Sequence, residues 1–442
     1  MTRTMAAFVY FALFCVVALL PLQVALVSDP HSQPRGFLIE LGTAFGLVGF
    51  SLILLELALV TRIRTLSDSF GSDTLLQLHR GFALVAAALV LCHTLLLAPT
   101  WGGWEALNPL SATGAQSAGA VAFWALALLI LSSVGRRQLR LPYHGWRVIH
   151  RGSSVALLLA AAAHVLLVSG YSASPALRNL VLLLTLAFGG LLLNYLLIRP
   201  LRLWRKPWRV IANADLGADT RMISVETDGH PGFRFEPGQF AWLITGRSPY
   251  SREQHPITIA NSAESAGAKC RQSYAIKNLG DWSGQFVPTL AVGARVWVEG
   301  PYGALTVDRM PAQGFVLIAG GIGITPMRSI LLTLRDRGDA RPCVLFYAVN
   351  DFSRMVFREE LQQLRSQMNL TLVFVLEHPD PGDICERGRI TRAMLERYLP
   401  AQGQHFQFLI CGPNPMMDIM EHLLFELGIP DDRVHSERFN QV

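Results

Sequence analysis

The chain has 442 residues and a formal charge of +6, so more than one domain is the default expectation. Residues 1–206 carry 15 Lys+Arg against 6 Asp+Glu and the remainder 23 against 26, so the positive excess belongs to the first half, where it points to anionic lipid rather than nucleic acid. The six cysteines (Cys15, Cys92, Cys270, Cys343, Cys385 and Cys411) include no CxxC pair, which argues against a disulfide framework, a zinc site or an iron–sulfur site.

Six apolar runs follow one another at 5–27, 37–60, 75–98, 117–134, 146–169 and 176–198. Each is long enough to span a bilayer as a helix. The first follows Arg3, but its apolar core is long and no Ala-x-Ala cleavage site follows it, so it reads as a helix rather than a signal peptide. Arg62 and Arg64 lie between the second and third runs, and Arg136, Arg137, Arg140 and Arg147 between the fourth and fifth. Arg199, Arg202, Arg205 and Lys206 follow the sixth, while the opposite loops hold only Arg35 and Arg178. By the positive-inside rule the first set faces the cytoplasm, together with the N-terminus and everything after the sixth run.

The third and fifth runs hold histidines that a lipid-facing helix has no reason to carry. His79 and His93 are fourteen residues apart, as are His150 and His164. Fourteen residues fall about 40° short of four helical turns and rise roughly 21 Å, so each pair sits on nearly one face with its members near opposite membrane surfaces. Intramembrane ionisable residues are costly and tend to be functional. Two matched helices of this kind can clamp two haems, one between His79 and His150 and one between His93 and His164, each with both axial positions filled for electron transfer. Arg80, Arg147 and Arg151 flank the inner pair, as haem-propionate partners or as ordinary interfacial anchors.

After Pro207 the pattern becomes β-type. The segments at 221–227, 233–245, 273–279 and 294–303 read as strands of a small antiparallel barrel over 207–312. From residue 313 onward, strands at 315–319, 343–350, 371–378 and 405–412 alternate with helical segments, the signature of a parallel α/β nucleotide-binding domain. In the barrel, His255-Pro256-Ile257-Thr258 ends a charged loop and could meet a flavin. The turn Gly280-Asp-Trp-Ser-Gly284 could begin a helix that binds pyrophosphate, with Ser283 either a ligand or a plain cap. Gly320-Gly321-Ile-Gly323-Ile-Thr325-Pro326 directly follows a strand and suits close approach of a dinucleotide phosphate. Cys411-Gly412-Pro413 follows another strand, so both loops are expected at the carboxyl ends of their strands, where ligands of open α/β sheets bind.

Together these parts resemble the ferric reductase and NADPH oxidase superfamily, in which a six-helix bis-haem membrane domain precedes a ferredoxin-reductase-like flavin and nicotinamide module. The resemblance implies that His79, His93, His150 and His164 are the ligands of two b-type haems. It implies that His255, Pro256, Ile257, Thr258 and Ser283 serve FAD, with Phe439 covering the flavin. It assigns Gly320, Gly321, Gly323, Thr325, Pro326, Cys411, Gly412 and Pro413 to NADPH or NADH. Where relatives often place an arginine for the 2′-phosphate, this chain has Asn350 and Asp351, with Arg354 slightly later, so the choice of nicotinamide stays open. The implied activity is electron transfer across a membrane, in bacteria the inner one, to an outside acceptor: O2 giving superoxide, with a ferric or cupric chelate or a separate extracytoplasmic protein as the alternatives.

Overall fold

The computed structural model describes residues 3–28, 35–110, 114–264, 270–400 and 403–438. They fall into two compact units, residues 1–70 with 74–199, and 71–73 with 200–442. The first unit is helical: α1 (Arg3–Ser28), α2 (Phe37–Val60), α3 (Arg64–Phe70), α4 (Ser72–Leu97), α5 (Ala115–Val134), α6 (Tyr143–Leu167) and α7 (Pro175–Leu193). The chain continues from α7 through a π-helical stretch, Asn194–Ile198, into α8 (Arg199–Trp204). Six of these helices are long and apolar enough to cross a membrane. Helices suit that medium because each satisfies its backbone groups internally.

The bundle buries Phe50, Leu54 and Leu57 of α2 against Leu126 and Leu129 of α5, Leu157 and Leu158 of α6, and Val181 of α7. Its outward side chains are equally apolar. Phe8, Leu131 and Leu186 are each more than 60% exposed, which in water would leave an untenable surface and in hydrocarbon costs nothing. The chain is therefore an integral membrane protein.

The second unit holds two six-stranded sheets. The first is antiparallel, with β1 (Trp208–Asp215), β2 (Thr220–Thr227), β3 (Phe240–Ile244), β4 (Gln254–Thr258), β5 (Arg271–Lys277) and β6 (Arg295–Tyr302) in the order β4-β3-β6-β1-β2-β5, and the short α9 (Val287–Thr289) before β6. Four strand segments were expected here and six form. A bulge between Val210 and Ala212 interrupts the alternation of β1. Pro256 disguises β4, which tolerates a missing donor because it is an edge strand. The expected strand at 233–245 shortens to β3, since Pro237-Gly238 turns the chain with Gly238 at φ +93°.

The second sheet is parallel throughout, in the order β10-β9-β8-β7-β11-β12. Its elements run β7 (Phe315–Gly320), α10 (Ile324–Asp336), β8 (Cys343–Val349), α11 (Arg358–Leu364), β9 (Leu370–Leu376), β10 (Glu386–Arg387), α12 (Arg392–Tyr398), β11 (Gln407–Cys411), α13 (Asn414–Glu426) and β12 (Val434–Ser436). From β7 the sheet grows one way through β8, and β11 adds on the other side. The β7/β11 boundary is therefore the topological switch point, where such sheets bind ligands.

Within this unit α10 is tied to the antiparallel sheet's loops by polar contacts. Arg328 donates to the carbonyl of Ala260 at 2.5 Å and holds Glu360 with two bonds of 2.6 and 2.7 Å, and Ser329 donates to Asn261 O at 2.8 Å.

Candidate functional site: paired imidazoles and a glycine-lined switch point

The four intramembrane histidines meet in two pairs. The rings of His79 and His150 have centroids 6.3 Å apart at 75°, and those of His93 and His164 are 6.1 Å apart at 81°. An imidazole nitrogen sits about 2.0 Å from a bound first-row ion and roughly 1.1 Å from its own ring centre, so two rings sharing one iron place their centroids about 6 Å apart. Both pairs fit that separation.

Each ring is also anchored through Nδ1. His93 donates to Gly42 O at 2.9 Å, and His164 donates to Ala115 O at 2.7 Å. His150 Nδ1 lies 3.3 Å from Ser133 Oγ, which accepts from Trp146 Nε1 at 3.2 Å, and His79 Nδ1 contacts the buried carboxylate of Glu56. A carbonyl only accepts, so Nδ1 of His93 and His164 carries the proton and Nε2 is left as the basic nitrogen. Metal-bound histidines are oriented in just this way by partners on their other nitrogen.

Two glycines make room for the second pair. A Cβ on Gly46 would lie 2.5 Å from His93 Nδ1, and one on Gly119 would lie 2.7 Å from His164 Nδ1. In both helices the glycine follows the accepting carbonyl by four residues, so α2 and α5 present the same device, one turn long, to the two rings. Glu56, Ser133, Gly46 and Gly119 were not singled out from the sequence. Glu56 was visible there as an acid inside an apolar run; the other three are recognisable only once α2 and α5 are seen beside α4 and α6.

In the second unit, His255 on β4 stacks on Trp282, with centroids 3.8 Å apart at 18°, and its Nε2 lies 3.2 Å from the Glu253 carboxylate. Trp282 in turn donates from Nε1 to Thr245 Oγ1 at 2.9 Å. The stack thus joins the His255-Pro256-Ile257-Thr258 strand to the turn containing Ser283, and Trp282 is a contact that sequence reasoning passed over. Thr258 is buried opposite Phe240. Ser283 Oγ accepts from the amides of Leu279 and Gly280 at 2.8 and 3.1 Å, so it closes its own turn. Phe439 lies outside the described residues.

The two glycine loops meet at the switch point. Cys411 is paired with Ala319 across β11 and β7. A Cβ on Gly323 would fall 2.2 Å from Cys411 O, and one on Gly320 would fall 2.6 Å from Met416 Sδ and 2.8 Å from Pro413 Cδ. Gly321 has φ +54°, and Thr325, buried, donates to Ile322 O at 2.9 Å. Gly412 completes the contact, with an added Cβ 3.1 Å from Gly320 Cα. Burial pushes the Cys411 thiol well above its ordinary pKa, so it acts as a neutral small group. Pro326 lies in the first turn of α10, whose N-terminal end opens onto these loops. Arg354 donates to Asp219 at 3.1 Å, and Ser353 donates to Asp351.

The sequence matches two families: the ferric reductase like transmembrane component over residues 45–161 and the oxidoreductase NAD-binding domain over residues 317–422. Over 209 residues, 42% of the chain, it is 29% identical to NADH-cytochrome b5 reductase 1 of Cryptococcus neoformans, covering 71% of that protein. Over 231 residues, 51% of the chain, it is 31% identical to the ferredoxin reductase component of 3-ketosteroid-9-alpha-monooxygenase of Rhodococcus rhodochrous, covering 62% of it. Among solved structures it is similar to the FAD/NAD binding domain of nitric oxide dioxygenase from Vibrio cholerae, at 23% identity and TM-score 0.46, over 53% of this chain and 98% of that one. The chain is an oxidoreductase. A ferric-reductase-like transmembrane match ahead of an NAD-binding oxidoreductase match in one chain is consistent with the ferric reductase and NADPH oxidase superfamily.

Proposed function

We propose that the protein is a transmembrane NAD(P)H oxidase of the bacterial inner membrane. Residues 1–206 form a bis-haem domain, 207–312 an FAD domain and 313–442 a nicotinamide domain on the cytoplasmic side. One NAD(P)H and two O2 yield NAD(P)+, one proton and two superoxide ions outside. The observation that carries this reading is the set of four imidazoles, paired about 6 Å apart with every Nδ1 engaged.

When bound, FAD divides the nicotinamide's electron pair into single electrons and b-type haem iron relays them. His79 and His150 hold one iron, and His93 and His164 the other. Their Nδ1 bonds fix tautomer and ring direction. All four imidazoles would be committed to holding iron for electron transfer, so no side chain here need act as acid or base. Arg147, buried within α6, and Arg151, which reaches Tyr195 OH at 3.4 Å, lie beside the first pair and suit haem propionates, as does Arg80. His255, Pro256, Ile257 and Thr258, with Ser283 and Phe439, hold the FAD. Gly320, Gly321, Gly323, Thr325, Pro326, Cys411, Gly412 and Pro413 leave backbone space for the nicotinamide dinucleotide, and Arg354 governs its 2′ end.

The match to a ferric reductase like transmembrane component favours a second reading, in which the outside acceptor is a ferric or cupric chelate; an extracytoplasmic protein is a third acceptor. The test is cytochrome c reduction by the FAD-supplemented protein with NADH or NADPH in air, with and without superoxide dismutase. Loss of the signal with dismutase supports superoxide; an unchanged signal means direct electron delivery, and the oxidase reading falls.

A further inference from the structure

The four histidine anchors are not equivalent. Three are neutral: the carbonyls of Gly42 and Ala115 and the hydroxyl of Ser133. The fourth is the carboxylate of Glu56, buried at 8% exposure on α2 and in contact with His79 Nδ1. Glu56 is also the one acid within the body of the six apolar runs, since Glu40 and Asp73 stand in the first turns of their helices. A lone carboxylate at that depth is expensive, and a neutral acceptor would orient the ring equally well, as the other three sites demonstrate.

We propose that Glu56 sets the direction of electron flow by lowering the reduction potential of the haem held by His79 and His150 below that of its neighbour. This rests on the bis-haem reading above. A charged acceptor on Nδ1–H makes a stronger bond than a neutral one and raises the basicity of the ligating nitrogen. A more basic axial imidazole favours the higher oxidation state, and second-shell hydrogen bonding is one of the levers a protein has on haem potential. The negative charge acts further through a medium of low dielectric. The second pair, bonded only to peptide carbonyls, receives neither effect. Transfer from an iron held by His79 and His150 to one held by His93 and His164 would therefore run in the favourable direction. Glu56 is a positioning residue here; it touches His79, not the electron acceptor.

The experiment is a spectroelectrochemical titration of the purified full-length protein, wild type against Glu56→Gln and Glu56→Asp, and again in a His164→Ala background that retains only the first-pair haem. Haem content is measured first: a wild type without two haems per chain overturns the bis-haem reading itself. Given two haems, Glu56→Gln keeps an acceptor but removes the charge. It should raise one midpoint by at least a tenfold shift in the one-electron equilibrium, about 59 mV, and leave the other where it was. Glu56→Asp should move the same midpoint less. The shift must persist in the His164→Ala background. If both midpoints stay at their wild-type values with both haems bound, the proposal is overturned. Where Glu56→Gln does not retain haem, Glu56→Asp decides: a raised first-pair midpoint supports the proposal and an unmoved one overturns it.

Discussion

His164 donates its Nδ1 hydrogen to the carbonyl of Ala115 at 2.7 Å while Gly119, one turn further along α5, leaves the space that the ring occupies. The same relationship holds between His93, Gly42 and Gly46 on α2. A methyl group at either glycine would stand inside contact distance of the imidazole, and overpacking of this kind costs about 1–3 kcal/mol. Gly46→Ala and Gly119→Ala should each reduce haem content from two per chain towards one, read by the pyridine haemochrome assay. Substitution of Gly190, whose Cβ would meet nothing within 4 Å, should leave it at two. Equal haem content in all three variants would remove the glycines from the site.

The ring planes in the two pairs are close to perpendicular, at 75° and 81°. Perpendicular axial imidazoles leave the two iron orbitals that bond to them nearly equal in energy. Low-spin ferric haem in that geometry gives one strongly anisotropic feature at low field in the EPR spectrum, whereas parallel rings give three resolved features. Two overlapping low-field features are expected from the wild type and one from His93→Ala. A rhombic three-line spectrum would mean that the rings turn on binding haem.

How much of this was legible beforehand depends on whether a feature is local. The fourteen-residue histidine spacing is a property of a single helix, so periodicity alone placed both members of each pair on one face. The glycine loops could be set at strand ends because the strand preceding each was obvious. The partners of the histidines were not, since α2 and α5 reach them only through tertiary packing, and nothing in the run GTAFG or AQSAG names the ring it will receive. Glu56 differs in carrying a local signal, an acid inside an apolar run, but its partner His79 lies on another helix, so the run alone does not tie it to the site. In the antiparallel sheet β4 was hidden by its own proline, and the His255–Trp282 stack joins segments separated by a strand.

Gly323 approaches the backbone of Cys411 so closely that a Cβ would sit 2.2 Å from its carbonyl oxygen. Backbone cannot yield as a side-chain tip can, so Gly323→Ala must separate β7's loop from β11's. The expected outcome is at least a tenfold fall in NADH- or NADPH-dependent ferricyanide reduction, with FAD content unchanged. An alanine variant with normal turnover would show that this approach does not matter for nicotinamide binding.

Burial drives the thiol of Cys343 up to about 12 and that of Cys411 well above its usual value. The thiolate is the reactive species, so neither should react with a thiol reagent in the folded protein at mildly alkaline pH, and both should do so after denaturation. The sign for stability follows. The unfolded thiols lose their protons near pH ~8.5 while the folded ones keep theirs, so this contribution is full below that pH and declines as pH rises towards about 12. Thermal unfolding should therefore move to lower temperature across that window, and Cys343→Ala should flatten part of the slope.

Arg354 donates to the Asp219 carboxylate at 3.1 Å and stands three residues after Asp351. The Ser353 hydroxyl, donating to Asp351, holds that carboxyl below its usual range, so it stays anionic throughout the neutral range. A 2′-phosphate arriving here would meet the anionic Asp351 carboxylate and an arginine already paired with Asp219. NADH is therefore expected to be the better donor. Neutralising one nearby like charge in water-like surroundings is worth roughly a threefold effect, so Asp351→Asn should raise the NADPH-to-NADH ratio of kcat/KM by about that factor. Asp219→Asn, which releases Arg354, should raise it as well, and Arg354→Ala should cancel that gain without touching turnover with NADH. Wild-type preference for NADPH, combined with an unmoved ratio in Asp351→Asn, would show that the 2′ end of the dinucleotide is read by other residues.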